Sequence, residues 1–246
     1  MKIEGVVAIV TGANGRIGKA LVAELLARGA SKVYVGGRSD SALSDLLAGK
    51  DSRLVPVILD VTDDRQVEEV AKRLADVTLV INNAGYCAIR GTLAADAVQE
   101  ARREMEVNYF GPLRVARAFE PVLTGAGGGA IVTVLSFLSL VTLPLMGTYS
   151  ASKAAALAMT RSLRAELAAK NINVLPAMPV AVDTAMGAWY NGPKVSPDEV
   201  AADILDAVEA GAAEVYPGKL SQEAAAAFAS DPKALQAQLA TFLPAA

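Results

Sequence analysis

Short runs of β-branched residues alternate with longer stretches of helical periodicity along nearly the whole chain, and this alternation restricts the fold more than any other feature. Residues 6–10, 32–35, 54–59, 77–81, 130–135 and 172–177 read as strands. Residues 17–28, 63–74, 97–123, 149–169 and 196–209 read as helices between and after them. Parallel strands need such crossover helices. Right-handed crossovers leave few topologies, so the pattern predicts an α/β fold built on a doubly wound parallel sheet. With no repeat and no linker-like break, residues 1–246 read as a single domain. Pro112 predicts a kink in the 97–123 helix, and Ser196 with Pro197 predicts a capped start for the 196–209 helix. A short last strand is expected at 214–216, and a helical tail at 222–243 with a break at Pro232. Segment 182–195 carries Gly187, Gly192 and Pro193, lacks periodicity, and is expected to be a mobile loop.

Composition removes whole classes of chemistry. The chain has no histidine, which excludes a Ser-His-Asp hydrolase and a histidine-ligated zinc site. No metal site is expected. Cys87 is the only cysteine, so no intramolecular disulfide can form and a reducing compartment is the simplest expectation. A net charge of −3, with no basic cluster, argues against a nucleic-acid partner. No run approaches the roughly 18 apolar residues of a membrane span. The apolar stretch at the N-terminus is too short for a secretory signal, so a cytoplasmic, soluble protein is expected.

After the first strand comes TGANGRIG, residues 11–18, and then a helix. A strand, a glycine-rich turn and a helix start together form an anion site, because backbone N–H groups and the helix dipole face outward there. Gly12 and Gly15 can take backbone angles closed to other residues, and Gly18 lets the helix approach the sheet. Asn14, Arg16 and Ile17 complete the turn. The second strand ends at Gly36, Gly37 and Arg38 without the carboxylate that would bind the ribose hydroxyl of NAD and repel the extra phosphate of NADP. Arg38 is suited to a phosphate, with Arg16 as a second cation, so NADP(H) is the expected cofactor. The alternative for Arg38 is a plain solvated arginine.

Tyr149 and Lys153 stand four residues apart, on one face of a helix. Their ordinary pKa values are about 10 and about 10.4. A neighbouring ammonium favours the phenolate, so the pair is expected to lower the tyrosine and fit it for proton transfer. Ser136 ends the fifth strand thirteen residues earlier, and Asn108 lies 41 residues before Tyr149.

The turn, INNAG at 81–85, Asn108, Ser136, YSASK at 149–153 and PVAVDT at 179–184 occur in the order found in the short-chain dehydrogenase/reductase family, which the chain resembles from about residue 5 to 216. The resemblance implies a Rossmann fold and hydride transfer between the cofactor and a carbonyl or alcohol. It implies Tyr149 as proton donor and acceptor, and Ser136 as holder of the substrate oxygen. Lys153 would bind the nicotinamide ribose, and Asn108 would hold a water that links the lysine to solvent. Ser139 is a nearby second serine that would assist substrate positioning. Asp60 and Val61 would contact the adenine, although Asp60 or Thr62 could equally cap the next helix. Asn83 would either touch the cofactor or steady the sheet, with Ala84 and Gly85 near the ribose. Pro179, Val182 and Thr184 would reach the nicotinamide.

Two departures stand out: Arg16 replaces the middle glycine of the family's TGxxxGxG turn, and Val180 replaces the glycine of its PG pair. Expected pocket walls are Tyr86, Leu138, Leu143, Leu145, Met146, Met186, Trp189 and Tyr190, taken as a group. They fit a small, uncharged carbonyl or alcohol as substrate. Two readings compete: a halohydrin dehalogenase, against which Lys153 and the glycine turn both speak, and a non-catalytic NADP-binding regulatory protein. The resemblance also implies a homodimer or homotetramer paired through the 97–123 and 149–169 helices.

Overall fold

In the computed structural model, residues 1–244 are described. The strands are β1 (Val7–Val10), β2 (Lys32–Gly37), β3 (Leu54–Ile58), β4 (Leu79–Asn82), β5 (Gly129–Val134) and β6 (Ile172–Ala177). All pair in parallel, in the order β3-β2-β1-β4-β5-β6. The order reverses between β1 and β4, and the loops that leave these two strands part there to open a crevice. The doubly wound sheet predicted from the alternation is present.

The strand side chains alternate between two cores. Ala8, Val10, Ile81 and Val132 face one layer with helices α1 (Arg16–Ala27) and α7 (Pro197–Ala210). Ile9, Val80, Ile131 and Val174 face the other, with α3 (Asp64–Arg73) and the fully buried Phe119 of α5 (Gly111–Gly125). Each β-branched run is therefore buried on both faces, and this is why the runs are apolar throughout rather than alternating with polar residues.

Several boundaries differ from the sequence expectation for physical reasons. Helix α2 (Asp40–Leu47) has no counterpart in the periodicity, since only Leu43 is buried, yet Ser39 caps it by accepting from the Ala42 N–H at 3.3 Å. The expected 97–123 helix is two helices, α4 (Ala97–Met105) and α5, joined by a π-turn over Glu106–Phe110. The break thus falls just before Pro112 instead of at it. Ser196 does cap α7, accepting from Glu199 N–H at 3.1 Å. Asp63 and neither Asp60 nor Thr62 caps α3, accepting from Gln66 N–H at 3.0 Å. The expected strand at 214–216 reduces to one bridge between Ala177 and Val215.

Segment 182–195 is pinned at both ends by a bridge between Val182 and Val195. Asp183 N–H donates to Val195 O, and Val195 N–H to Ala181 O, both at 2.9 Å. The helix carrying Tyr149 and Lys153 is α6 (Gly147–Leu167), and the tail is α8 (Lys219–Ser230) and α9 (Pro232–Leu239), with Asp231 capping α9.

Gly18 sits where α1 crosses the turn after β1. A Cβ there would lie 2.4 Å from Gly12 O and 2.7 Å from Ala13 Cα, both backbone atoms that cannot yield cheaply. At Gly15 the nearest atom to such a carbon is Gly12 O at 3.5 Å, an ordinary contact. Gly18→Ala is therefore expected to cost about 1–3 kcal/mol and Gly15→Ala less than about 1 kcal/mol, as read from urea unfolding curves.

Candidate active site

The residues singled out in the sequence gather at the C-terminal edge of the sheet, on both sides of the crevice. The turn after β1 is tied to the turn after β4 by four hydrogen bonds. Thr11 Oγ1 accepts from the N–H groups of Asn83 and Ala84, each at 3.0 Å. Asn83 Nδ2 donates to Thr11 O at 3.0 Å and Gly12 O at 2.9 Å. Both amide hydrogens of Asn83 are thus spent inside the protein, which favours the sheet-steadying role over a cofactor contact. Gly12 has φ +62°, and an added Cβ would lie 2.9 Å from Ala84 Cα. Glycine is needed there on both counts.

Asn14, Gly15 and Arg16 are exposed on the rim of this turn, and Ile17 is half-buried beneath it. Helix α1 starts at Arg16 with no side-chain cap and no acidic residue in its first turn, so its leading N–H groups are left for an anion. The Arg16 guanidinium meets Asp183 at 3.0 Å, joining the glycine turn to the loop after β6. Its observed partner is thus a carboxylate. Arg38 follows β2, is exposed, and forms no ion pair among the described residues. Asp60 Oδ1 accepts from the Thr62 N–H at 2.9 Å and hydroxyl at 2.7 Å, holding the turn after β3, and Val61 is buried beside Gly111.

Tyr149 lies in the first turn of α6 and Lys153 one turn later, with its Nζ 5.7 Å from the Tyr149 ring centre. Both are buried. Lys153 Nζ donates to Val134 O at 3.0 Å. An ammonium has three donors, and this is the one hydrogen bond it makes among the described residues. Ser136 leaves β5 and accepts from Leu138 N–H at 3.2 Å. Ser139 is buried away from the cavity, with its hydroxyl unpartnered among the described residues, so it does not stand beside Ser136 in the site.

Asn108 sits in the π-turn. Its side chain accepts from Tyr86 N–H at 2.9 Å and donates to Tyr86 O at 2.8 Å and Ser152 Oγ at 2.9 Å. Both amide hydrogens of Asn108 are committed to the loop after β4 and to α6. Pro112, four residues on, has no N–H with which to close an α-helical bond to the Asn108 carbonyl.

Burial controls the electrostatics. It pushes the Tyr149 phenol well above its ordinary value, with Cys87 adding to the rise and the Ser136 hydroxyl pulling the other way. It lowers the Lys153 ammonium to about 8. The sequence argument expected the ammonium to lower the phenol. In the fold, burial raises the phenol instead, because charging it away from water is penalised.

Ser136 and Tyr149 open onto a cavity of about 380 Å3. Of the expected walls, Leu138, Leu143, Met146, Met186, Trp189 and Tyr190 line it, as do Ile17, Pro179, Val182 and Thr184. Tyr86 and Leu145 do not. The Tyr86 hydroxyl instead donates to Glu100 at 2.6 Å. No charged side chain lines the cavity among the described residues.

Val180, the other departure, lines the cavity while its N–H donates at 3.0 Å to Ser221 Oγ, a fully buried residue of α8. Sequence reasoning missed this link. It also missed Glu104, which is fully buried and accepts from Ala88 N–H at 2.9 Å. Its place one helical turn before Asn108 was the signal for it. Leu239 and Phe242 of the tail also line the cavity, with nothing in their sequence to announce it.

Comparison with known proteins agrees with this geometry. Residues 6–193 match the short chain dehydrogenase family, and the chain belongs to it. It is 34% identical over 223 residues to 1-deoxy-11-beta-hydroxypentalenate dehydrogenase of Streptomyces avermitilis, covering 85% of this chain and 83% of that one. A crystal structure of a short chain dehydrogenase from Burkholderia cenocepacia J2315 in complex with NADP superposes with a TM-score of 0.91 at 48% identity, covering 97% and 99% of the two chains. A short-chain dehydrogenase from Streptomyces avermitilis gives 0.83 at 26% identity, covering 96% of each. The protein is a short-chain dehydrogenase/reductase family oxidoreductase.

The buried lysine has a measurable cost. The fall from 10.5 to about 8 means that keeping the charged form inside disfavours folding by roughly 3 kcal/mol. This penalty is complete below pH 8, shrinks as the pH rises towards 10.5, and vanishes above it. Lys153→Met is therefore expected to raise the unfolding free energy at pH 7 by about 1–3 kcal/mol. The gain should fade by pH 10.5 in urea melts, and a gain independent of pH would point to a cause other than the charge.

Proposed function

We propose that this oxidoreductase interconverts a small, uncharged carbonyl compound and its alcohol with NADP(H), and that Tyr149, Ser136, Lys153 and Asn108 do the protein's part of the work. The observation that carries this reading is the meeting of a buried Tyr149–Lys153 pair and the Ser136 hydroxyl at an apolar cavity lined by no charged side chain among the described residues. A substrate carboxylate or phosphate would have no counter-charge there.

The residues fit the cofactor. The uncapped start of α1 and the open space at Gly15 suit a diphosphate. Lys153 has donors to spare for ribose hydroxyls. Asp60, Val61, Ala84 and Gly85 border the adenosine side, and Pro179, Val182 and Thr184 the nicotinamide side. Arg38 carries the preference for the phosphorylated form, and the NADP complex of the relative at 48% identity supports it. When bound, the cofactor supplies or accepts the hydride at the carbonyl carbon.

The chain's own groups then hold and protonate the oxygen. Ser136 donates to it and fixes its position. Tyr149 gives its proton in reduction and takes one in oxidation. Its raised pKa keeps it a neutral donor before reaction, which suits the reductive direction. The Lys153 ammonium beside it stabilises the phenolate left behind. A water held at Asn108 returns the proton.

One domain, 1–246, carries both subsites. Exposed Val98 and Phe110 on the α4–α5 stretch favour a homodimer or homotetramer. A cytoplasmic setting fits a chain whose one cysteine has no partner for a disulfide.

Tyr149→Phe should lower carbonyl turnover by at least about 100-fold while leaving NADPH binding, followed by nicotinamide fluorescence, within about twofold. Turnover at a similar rate would refute the assignment. NADPH binding with no turnover on any carbonyl would favour a regulatory protein instead. In the wild type, NADPH should bind more tightly than NADH, and Arg38→Ala should remove about 10- to 100-fold of NADPH affinity with little effect on NADH. A clear NADH preference would sink the Arg38 argument.

A further inference from the structure

We infer that the C-terminal strap, residues 231–244, is a substrate-binding element that selects carbonyl compounds by the length of their apolar arm. The inference rests on the reductase reading for the reaction, but on its own geometry for the selection.

Leu239 and Phe242 line the cavity that holds Ser136 and Tyr149. Leu239 packs against the cluster of Leu143, Met146 and Tyr149, so it belongs to the inner part of the cavity. Phe242 is 38% exposed and stands at its outer end. The strap thus supplies an inner and an outer apolar wall.

The strap is held by few contacts, and they fall on the substrate side. The Gln236 amide pairs with the Thr142 backbone like a short piece of sheet, accepting from its N–H at 2.8 Å and donating to its O at 2.9 Å. Leu145 N–H donates to Phe242 O at 3.2 Å. Pro244 lies against Gly91, where an added Cβ would come within 2.5 Å of it. Helix α9 has eight residues and none of them is fully buried. A helix this short has little stability of its own. Its position is set by its packing on α8, by the Gln236 pairing, by the contacts of Phe242 and Pro244, and by the two apolar side chains that line the cavity. A strap so lightly held can part from the 142–146 segment to admit substrate and settle back over it.

The substrate class follows from these walls. One end of the molecule presents a carbonyl to Ser136 and Tyr149. The other is an uncharged alkyl or aryl arm that reaches Leu239 and, when longer, Phe242. Arms that stop short of Phe242 leave the outer wall unused, and longer arms collide with it.

The test is a series of methyl ketones with short, medium and long alkyl arms, assayed with NADPH. Phe242→Ala should raise the ratio of kcat/KM for the long ketone to that for the short one by about tenfold, and Phe242→Trp should lower it. Gln236→Ala should move the ratio in the same direction as Phe242→Ala. Ratios that stay within about twofold of wild type in both Phe242 variants would overturn the inference. Trp189, the chain's one tryptophan, lines the cavity and gives a second readout that needs no turnover. Its emission reports ketone binding directly. If the wild type reduces none of the ketones with either cofactor, the reductase reading falls and the strap is judged on binding alone. A tenfold relative gain for the long ketone in Phe242→Ala then sustains it, and no gain, or no binding at all, overturns it.

Discussion

Thr11 and Asn83 bind together, in register, the two loops on which the site depends. At the point where a doubly wound sheet reverses its order, nothing in the sheet itself fixes the loops leaving neighbouring strands, because each crosses to an opposite face. Here one hydroxyl accepts two amides from across the gap, and one side-chain amide returns two donors to carbonyls on the other side. The crevice is therefore a rigid slot. The positive φ of Gly12 and the close approach of Ala84 are parts of the same joint. Because the joint uses both Asn83 donors internally, that side chain has no donor left to offer into the slot.

On the other side of the slot, burial does the tuning. The proton-carrying group and its cationic neighbour are both taken out of water, and each is driven towards its neutral form. At neutral pH the phenol stays neutral, while the lysine keeps its charge inside at a cost to folding. Ionisation of the phenol is disfavoured unless positive charge arrives close by. This arrangement protects a buried phenol from idle ionisation and places the stability penalty on the lysine.

Much of this was legible in the amino-acid sequence. The β-branched runs, the Gly12–Gly18 turn, and the spacing of Asn108, Ser136, Tyr149 and Lys153 led to the sheet and to one end of the cavity. What could not be read were properties of distance. The Asn108 side chain is consumed by Tyr86 and Ser152, which lie far from it in sequence. Arg16 is held by Asp183, 167 residues away, a pairing that no local pattern encodes. Helix α2 hides because a single buried leucine gives no period. Leu239 and Phe242 look like ordinary residues of an amphipathic tail until the chain brings them back over the sheet edge. Local chemistry declares itself in spacing, whereas the walls of a cavity are assembled by topology.

The π-turn at Glu106–Phe110 has a geometric consequence for the whole length of the helix. One residue more than an α-helical turn requires has been taken up there, and each residue of an α-helix advances the side chains by about 100°. The rod is therefore rotated partway along its length. Before the turn it presents its buried side to α6, and after it to α3 and the sheet. A straight helix of the same sequence would carry its apolar stripe past one of these neighbours and into solvent. The extra residue works as a gear change that lets one continuous rod mesh with two differently oriented surfaces.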